Sequence, residues 1–188
     1  MRIFYLVLFF LFLNNHLYSN DDEISIWFDK ETKIFHELHQ NGNVVIDVNS
    51  FEKFIKRNFA VKSIAYGLIP EKILDTTDEV TLKRYFQSFE KHLIDTIYLL
   101  ASNSINSEIN LIDIDLKDDV FQLTSEIRYN DSSSRAYWKV VNINSSYKII
   151  DIIVENTSYF VTKKSEFAKI LRKNGGDLNK LIKDLDKN

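Results

Sequence analysis

Asp151 is the side chain in this sequence best placed to serve as a buried general base. It sits in the run Tyr147 to Val154, which has period-two texture and many β-branched residues, and alternation puts it on the same strand side as Ile149 and Ile153. A carboxylate held among isoleucines is in the kind of environment that tunes a proton acceptor. No histidine lies near it in sequence to complete a catalytic set. His36 and His39 lie one helical turn apart with Glu37 between them, the spacing of a metal half-site. No further cluster supplies the three or four ligands such a site uses, so both read as polar positions on a solvated face, as does His92. Asp113, Asp115, Asp118 and Asp119 lack the glycine and spacing of a calcium loop and read as a solvated strand and turn. No nucleophile elbow, phosphate loop, dinucleotide fingerprint or zinc motif is present. The expectation is no metal and no cofactor, with Asp151 left open as a candidate base.

The elements that must position any site are legible from composition and spacing. The 188 residues carry 24 basic and 27 acidic side chains, a net charge of −3, well mixed along the chain. That balance argues against a nucleic-acid partner, which calls for a basic face. Residues 1–19 have one charge, Arg2, and an apolar run from Ile3 to Leu13 that is too short for the roughly 30 Å of bilayer hydrocarbon. They read as a secretory signal peptide cut after Ser19, with a membrane anchor as the alternative. There is no cysteine, which excludes lipoprotein processing and leaves an exported chain to rely on its core alone. Pro70 is the single proline, and no linker or repeat divides the chain, so residues 20–188 are expected to form one domain.

Helical spacing covers Glu23 to Gln40, with Ile26, Trp27, Ile34, Phe35 and Leu38 apolar, ended by Asn41-Gly42-Asn43. Ser50 to Leu68 reads as one broken helix or two short ones, with Asn49 or Ser50 as cap and Gly67 as an interruption. The longest helix, Asp78 to Ala101, has Leu82, Tyr85, Phe86, Phe89, Leu93, Ile97 and Leu100 on one wide face, with Thr76 and Glu79 or Thr77 capping it. Ile109–Leu116 reads as an edge strand. Val120–Tyr129 puts Phe121, Leu123, Ile127 and Tyr129 on one side, Ala136–Val141 carries Trp138, and Tyr147–Val154 completes four strands. A helix with Phe160, Phe167, Ile170 and Leu171 ends at Gly175-Gly176, and Leu178–Leu185 closes the chain. The fold class expected is α+β: N-terminal helices packed on one face of a curved, mainly antiparallel four-stranded sheet, with C-terminal covering helices.

Two segments carry a resemblance. Tyr147-Lys-Ile-Ile-Asp151-Ile-Ile-Val-Glu155-Asn-Thr-Ser158, followed by Lys164-Ser-Glu-Phe167 and Ile170-Leu171-Arg172 before Gly175, resembles the C-terminal signature of the MlaC family of periplasmic phospholipid-binding proteins, also called the toluene-tolerance or ABC-transporter auxiliary family. Phe59 to Gly67, then Thr77 and Tyr85-Phe86-x-x-Phe89-x-x-x-Leu93, is similar to that family's Leu-Gly segment and its Phe-rich helix. Asn156 stands where the family has glycine; asparagine is among the residues that tolerate positive φ. The aromatic pair after the family's Leu-Gly is replaced by Ile69, Pro70 and Glu71.

The resemblance implies an NTF2-like cone with an apolar cavity. It also implies a periplasmic phospholipid carrier that shields acyl tails and shuttles lipid between outer- and inner-membrane complexes. Its cargo would be a glycerophospholipid. Its partners would be an inner-membrane MCE-type ABC transporter complex and an outer-membrane lipoprotein complex, and the carrier would be a monomer serving outer-membrane lipid asymmetry in a Gram-negative bacterium. The tail pocket would be walled by Phe86, Phe89, Leu93 and Ile97 on the long helix; by Phe121, Leu123, Ile127, Ile150, Ile152 and Val154 on the strands; and by Ile64, Leu68, Phe160 and Phe167 on the covering helices. The competing reading is a small-ligand-binding domain or enzyme of the ketosteroid-isomerase type, in which Asp151 would act at the pocket mouth.

Overall fold

The computed structural model describes residues 20–38, 48–102 and 107–187. The leader expected over residues 1–19, His39 and the stop at residues 41–43 lie outside these. Five helices come first: α1 (Asn20–Glu37), α2 (Val48–Asn58), α3 (Val61–Leu68), α4 (Glu71–Thr76) and α5 (Glu79–Ser102). A meander follows: β1 (Glu108–Lys117), β2 (Val120–Tyr129), β3 (Ser132–Ile143), β4 (Ser146–Val154) and β5 (Thr157–Ser158). Helices α6 (Tyr159–Lys173) and α7 (Leu178–Leu185) end the chain.

The segment expected as one broken helix or two is two. α2 starts at Val48, so Asn49 and Ser50 lie inside it rather than capping it. The break falls at Ala60, and Gly67 lies within α3 instead of interrupting it. Ile69 and Pro70 are extended, and Pro70 caps a short helix, α4, that no periodicity announced. The cap of α5 is Asp78 and neither threonine: its Oδ1 accepts the Thr81 amide at 2.9 Å. This bond, first among the causes, holds the Asp78 carboxyl below its ordinary pKa. In α6, Ser158 Oγ accepts the Val161 amide at 3.0 Å, and Asp177 does the same for the Asn179 amide at 2.9 Å to start α7. Gly175 and Gly176, at φ 63° and 85°, end α6 in the left-handed conformation.

The sheet has five antiparallel strands in the order β1-β2-β3-β4-β5, one more than the four expected, because Thr157 and Ser158 pair with Val154 and Ile153. It is an open sheet with edges at β1 and β5. Its turns use residues at positive φ: Asp118 and Asp119, Asn130, Asn144 and Ser145, and Glu155 and Asn156. Asn156, at φ 62°, takes the turn conformation that glycine would otherwise supply.

Two bulges re-aim side chains. Leu111 pairs with Ser125 and Asp113 with Thr124, leaving Ile112 as the extra residue; Val140 pairs with Ile149 and Lys139 with Asp151, leaving Ile150. Residues opposite one another share a face. Phe121, Leu123 and Ser125 of β2 and Ala136 and Val140 of β3 are buried against the helices. Trp138, on that same face, donates its indole N–H to Ser125 Oγ at 2.8 Å. Because of the Ile150 bulge, Ile149 faces the helices while Asp151 and Ile153 pair with Lys139 and Tyr137 on the other face. The expectation that Asp151 shares a side with Ile149 is therefore overturned; uninterrupted alternation does not hold across a bulge.

The helix layer is tied to the sheet by backbone as well as side chains. Phe59 forms a parallel bridge with Ile149, and the Ala60 amide donates to the Ile149 carbonyl at 2.9 Å. Helices α6 and α7 close the layer on α3 and α5. None of the helices described is long and apolar enough to cross a membrane.

Candidate functional site

Between the helix layer and the sheet lies a cavity of about 550 Å³. That is within the roughly 300–1,000 Å³ typical of ligand pockets. Its inner end is formed by Phe59 and Ile64 from the α2–α3 junction, Leu93 from α5 and Ile149 from β4. The wall continues through Ile150, Ile152 and Val154 of β4 and through Trp138 and Ser134 of β3 to Ile127 and Ile109. Ile109 pairs with Ile127, and Ile127 with Ser134, where β1 begins and β2 turns into β3. The cavity therefore runs from mid-sheet to one end of the sheet. At that end Leu100, Thr157 and Thr162 both line it and are exposed, which marks the opening.

Of the wall residues expected from the sequence, the structure brings together Ile64, Leu93, Ile97, Ile127, Ile150, Ile152 and Val154 around this space. The other seven do not line it. Leu68, Phe89, Phe121, Leu123 and Phe167 are buried in solid core, Phe89 and Phe167 edge to face at 6.2 Å. Phe86 turns toward Tyr66, their rings 4.7 Å apart. Phe160 packs over Gly67, where an added Cβ would come within 2.9 Å of its ring, so glycine permits this close approach of α3 and α6.

A wall unforeseen from the sequence comes from α1. Trp27, Phe28 and Phe35 line the cavity, and Phe28 packs on Trp138 at 5.6 Å. The apolar stripe of α1 is Ile24, Phe28 and Phe35, whereas Ile26, expected on it, is 58% exposed. Glu31 occupies the same stripe, and a charge at such a position was the available signal. It is buried, with Oε2 accepting from Arg57 Nη2 at 2.5 Å and from Asn58 Nδ2 at 2.8 Å. A carboxylate only accepts, so Asn58 must turn its amide nitrogen to Glu31, and its Oδ1 is left buried without a hydrogen bond.

The cover over the cavity is the first turn of α6, and Asp151 holds it. Its Oδ2 accepts from Ser158 Oγ at 2.8 Å, its Oδ1 accepts the Phe160 amide at 3.0 Å, and Lys139 Nζ lies 3.9 Å away. The carboxylate is committed to the start of a helix, with both oxygens used. Tyr159 lines the cavity beside it; burial pushes its phenol well above the ordinary range, and the hydroxyl lies by Thr96 outside good hydrogen-bond geometry. His92 sits behind the same turn, on α5. Burial first, then Lys163, lowers its pKa below the ordinary value, against opposing pulls from Glu166 and Asp95. Asp113, Asp115, Asp118 and Asp119 are all exposed.

The geometry is that of a binding cavity, apolar along most of its wall. A crystal structure of a phospholipid-binding protein from Ralstonia solanacearum, in complex with a phospholipid, has the same fold, with a TM-score of 0.70 at 15% identity, covering 87% of this chain and 93% of that one. No curated protein matches the chain. The family described as MlaC protein matches residues 36–187, which is most of the chain, and the chain belongs to the MlaC family.

Proposed function

We propose that this protein is a periplasmic phospholipid carrier. The observation that carries the reading is the 550 Å³ apolar cavity held open between two tied layers in a chain of the MlaC family. Moving a bare two-chain lipid into water costs about 0.8 kcal/mol per CH₂, or roughly 25 kcal/mol for ~30 groups. A carrier must offset nearly all of that with apolar contact. Aromatic and aliphatic walls do so without catalytic groups, and the likeness to a structure holding a phospholipid supports the same cargo. The tails would lie along Ile64, Leu93, Ile97, Ile127, Ile150, Ile152 and Val154, with α1 as the further wall, and the headgroup would remain at the open end.

In this reading the chain is exported by its leader and shuttles lipid between an outer-membrane lipoprotein complex and an inner-membrane MCE-type ABC transporter. Direction is set by those partners, because the carrier has no energy source of its own. It works as a non-enzymatic monomer. The ketosteroid-isomerase-type alternative relied on Asp151 as a free base at the mouth, and that carboxylate is occupied at the start of α6. Native mass spectrometry of protein purified from cells, with extraction of its lipids, tests the proposal. A bound phospholipid is expected; absence of phospholipid together with failure to take it up from liposomes would sink it.

A further inference from the structure

Two carboxylates line the cavity, Glu31 and Asp151, and they differ in how far they are satisfied. Asp151 has both oxygens taken, by Ser158 Oγ and by the Phe160 amide. Glu31, 7% exposed, uses one. The bonds from Arg57 and Asn58 both end on its Oε2, and no donor among the described residues reaches Oε1. Asn58, which also lines the cavity, is 1% exposed, and its Oδ1 is buried without a hydrogen bond. Phe35, one turn after Glu31, and Phe54, one turn before Asn58, line the wall with them. An otherwise apolar wall thus holds two neighbouring side chains that each have an acceptor to spare.

We propose that Glu31 and Asn58 form a polar subsite within the tail cavity, and that the cargo fills it with a hydroxyl group carried on an acyl chain. The inference rests on the carrier reading and narrows the class of lipid which that reading names. A plain hydrocarbon tail laid on this wall strips the carboxylate oxygen of water and returns nothing, which is unfavourable for a buried acceptor. A chain hydroxyl returns one bond, and to an ionised acceptor, the stronger kind. Both open atoms are acceptors, a carboxylate oxygen and an amide oxygen, so the group they select is a donor. An ammonium group also donates, but Arg57 already offsets the Glu31 charge, and a second cation would have to leave water for an apolar wall. A hydroxyl supplies the donor without the charge. Depth places that hydroxyl on a chain: Asn58 adjoins Phe59 at the inner end of the cavity, whereas the headgroup and glycerol of a carried phospholipid stay at the open end.

A loading competition tests this. Wild type is loaded from detergent micelles holding two phosphatidylglycerols that differ only in a mid-chain hydroxyl on their acyl chains, and the extracted lipids are quantified by mass spectrometry. Expected is an enrichment of the hydroxylated lipid of about tenfold over its share in the micelles. The Glu31→Met/Asn58→Leu double variant removes the acceptors together with the amide that donates between them, and Arg57, half exposed, keeps its hydration. In that variant the enrichment should fall to about one. Equal loading by wild type, which needs no variant to read, overturns the inference and leaves the acceptors to an ordered water. A preference that survives in the folded double variant also overturns it, by placing the donor elsewhere in the cavity. A monoacyl phosphatidylglycerol with a plain chain carries its free hydroxyl on the glycerol; preference for that lipid without preference for the chain hydroxyl overturns the placement. Failure of wild type to load any of these lipids overturns the carrier reading, and this inference with it.

Discussion

The layer between helices and sheet holds two regions of the same chemistry and opposite packing. Around Phe89, Phe167, Leu171 and Leu181, side chains of α5, α6 and α7 are buried against one another, Phe89 and Phe167 edge to face. A few residues along the same α5 helix, Leu93 and Ile97 face a hollow. Aromatic and aliphatic residues build both, so apolarity alone does not decide which part of a core is filled. The difference lies in what sets the distance between the layers. In the filled region helix packs on helix, and ridges settle into grooves until contact is complete. In the hollow region a helix layer faces the sheet, which closes on solid core at Phe121, Leu123 and Val140 but stands apart toward Ile127, Ile152 and Val154.

That comparison can be broken at its filled side first. Phe89→Ala leaves a void in close-packed core and is expected to cost about 3–5 kcal/mol, read as a lower urea midpoint at unchanged slope. A loss under 1 kcal/mol would mean that this region is as slack as its neighbour. Next is the cover. Asp151→Ala removes the acceptor for Ser158 and for the Phe160 amide and is expected to cost about 1–3 kcal/mol, with faster hydrogen exchange at the start of α6. Tyr85→Phe deletes the hydroxyl that donates to the Ala65 carbonyl at 2.8 Å and is expected to cost about 1 kcal/mol by thermal unfolding.

Ile97→Trp sharpens the contrast from the hollow side: the added ring has room, so stability should move by less than about 1 kcal/mol, while lipid recovered with the protein falls sharply. The same substitution at Phe89 would strain packed core. The smallest effect is that of pH. Burial holds His92 below its ordinary pKa, so between its folded value and about 6.5 the unfolded chain binds more protons. Stability should be complete above pH about 6.5 and fall as pH drops through that window. His92→Leu should flatten that part of a stability–pH profile.

The strands, the long helix and the closing helix with its double glycine were legible because each keeps its own period or carries its own stop. The Phe-rich face of α5 was also legible, but its fate was not: Phe86, Phe89, Leu93 and Ile97 share one stripe, and only tertiary packing divides it between solid core and cavity wall. The bulges at Ile112 and Ile150 leave no signal in a run of β-branched residues, yet the second reverses the face of Asp151. The α1 wall was missed because Ile26, which is exposed, drew the stripe away from Ile24, Phe28 and Glu31, the residues that share the buried face with Trp27 and Phe35. Capping signals misled for a related reason: Thr76, Thr77 and Asp78 can all cap, and the choice is made by where the α4 turn ends.

The bond from the Ala60 amide to the Ile149 carbonyl works as a spacer bolt. It joins the kink between α2 and α3 to the strand beside its bulge, so the gap between the plates is set by main chain rather than by whatever lies inside. Emptying the space then need not bring the plates together, and loading it need not push them apart. A container built this way can be filled and drained repeatedly with little mechanical work on its own frame.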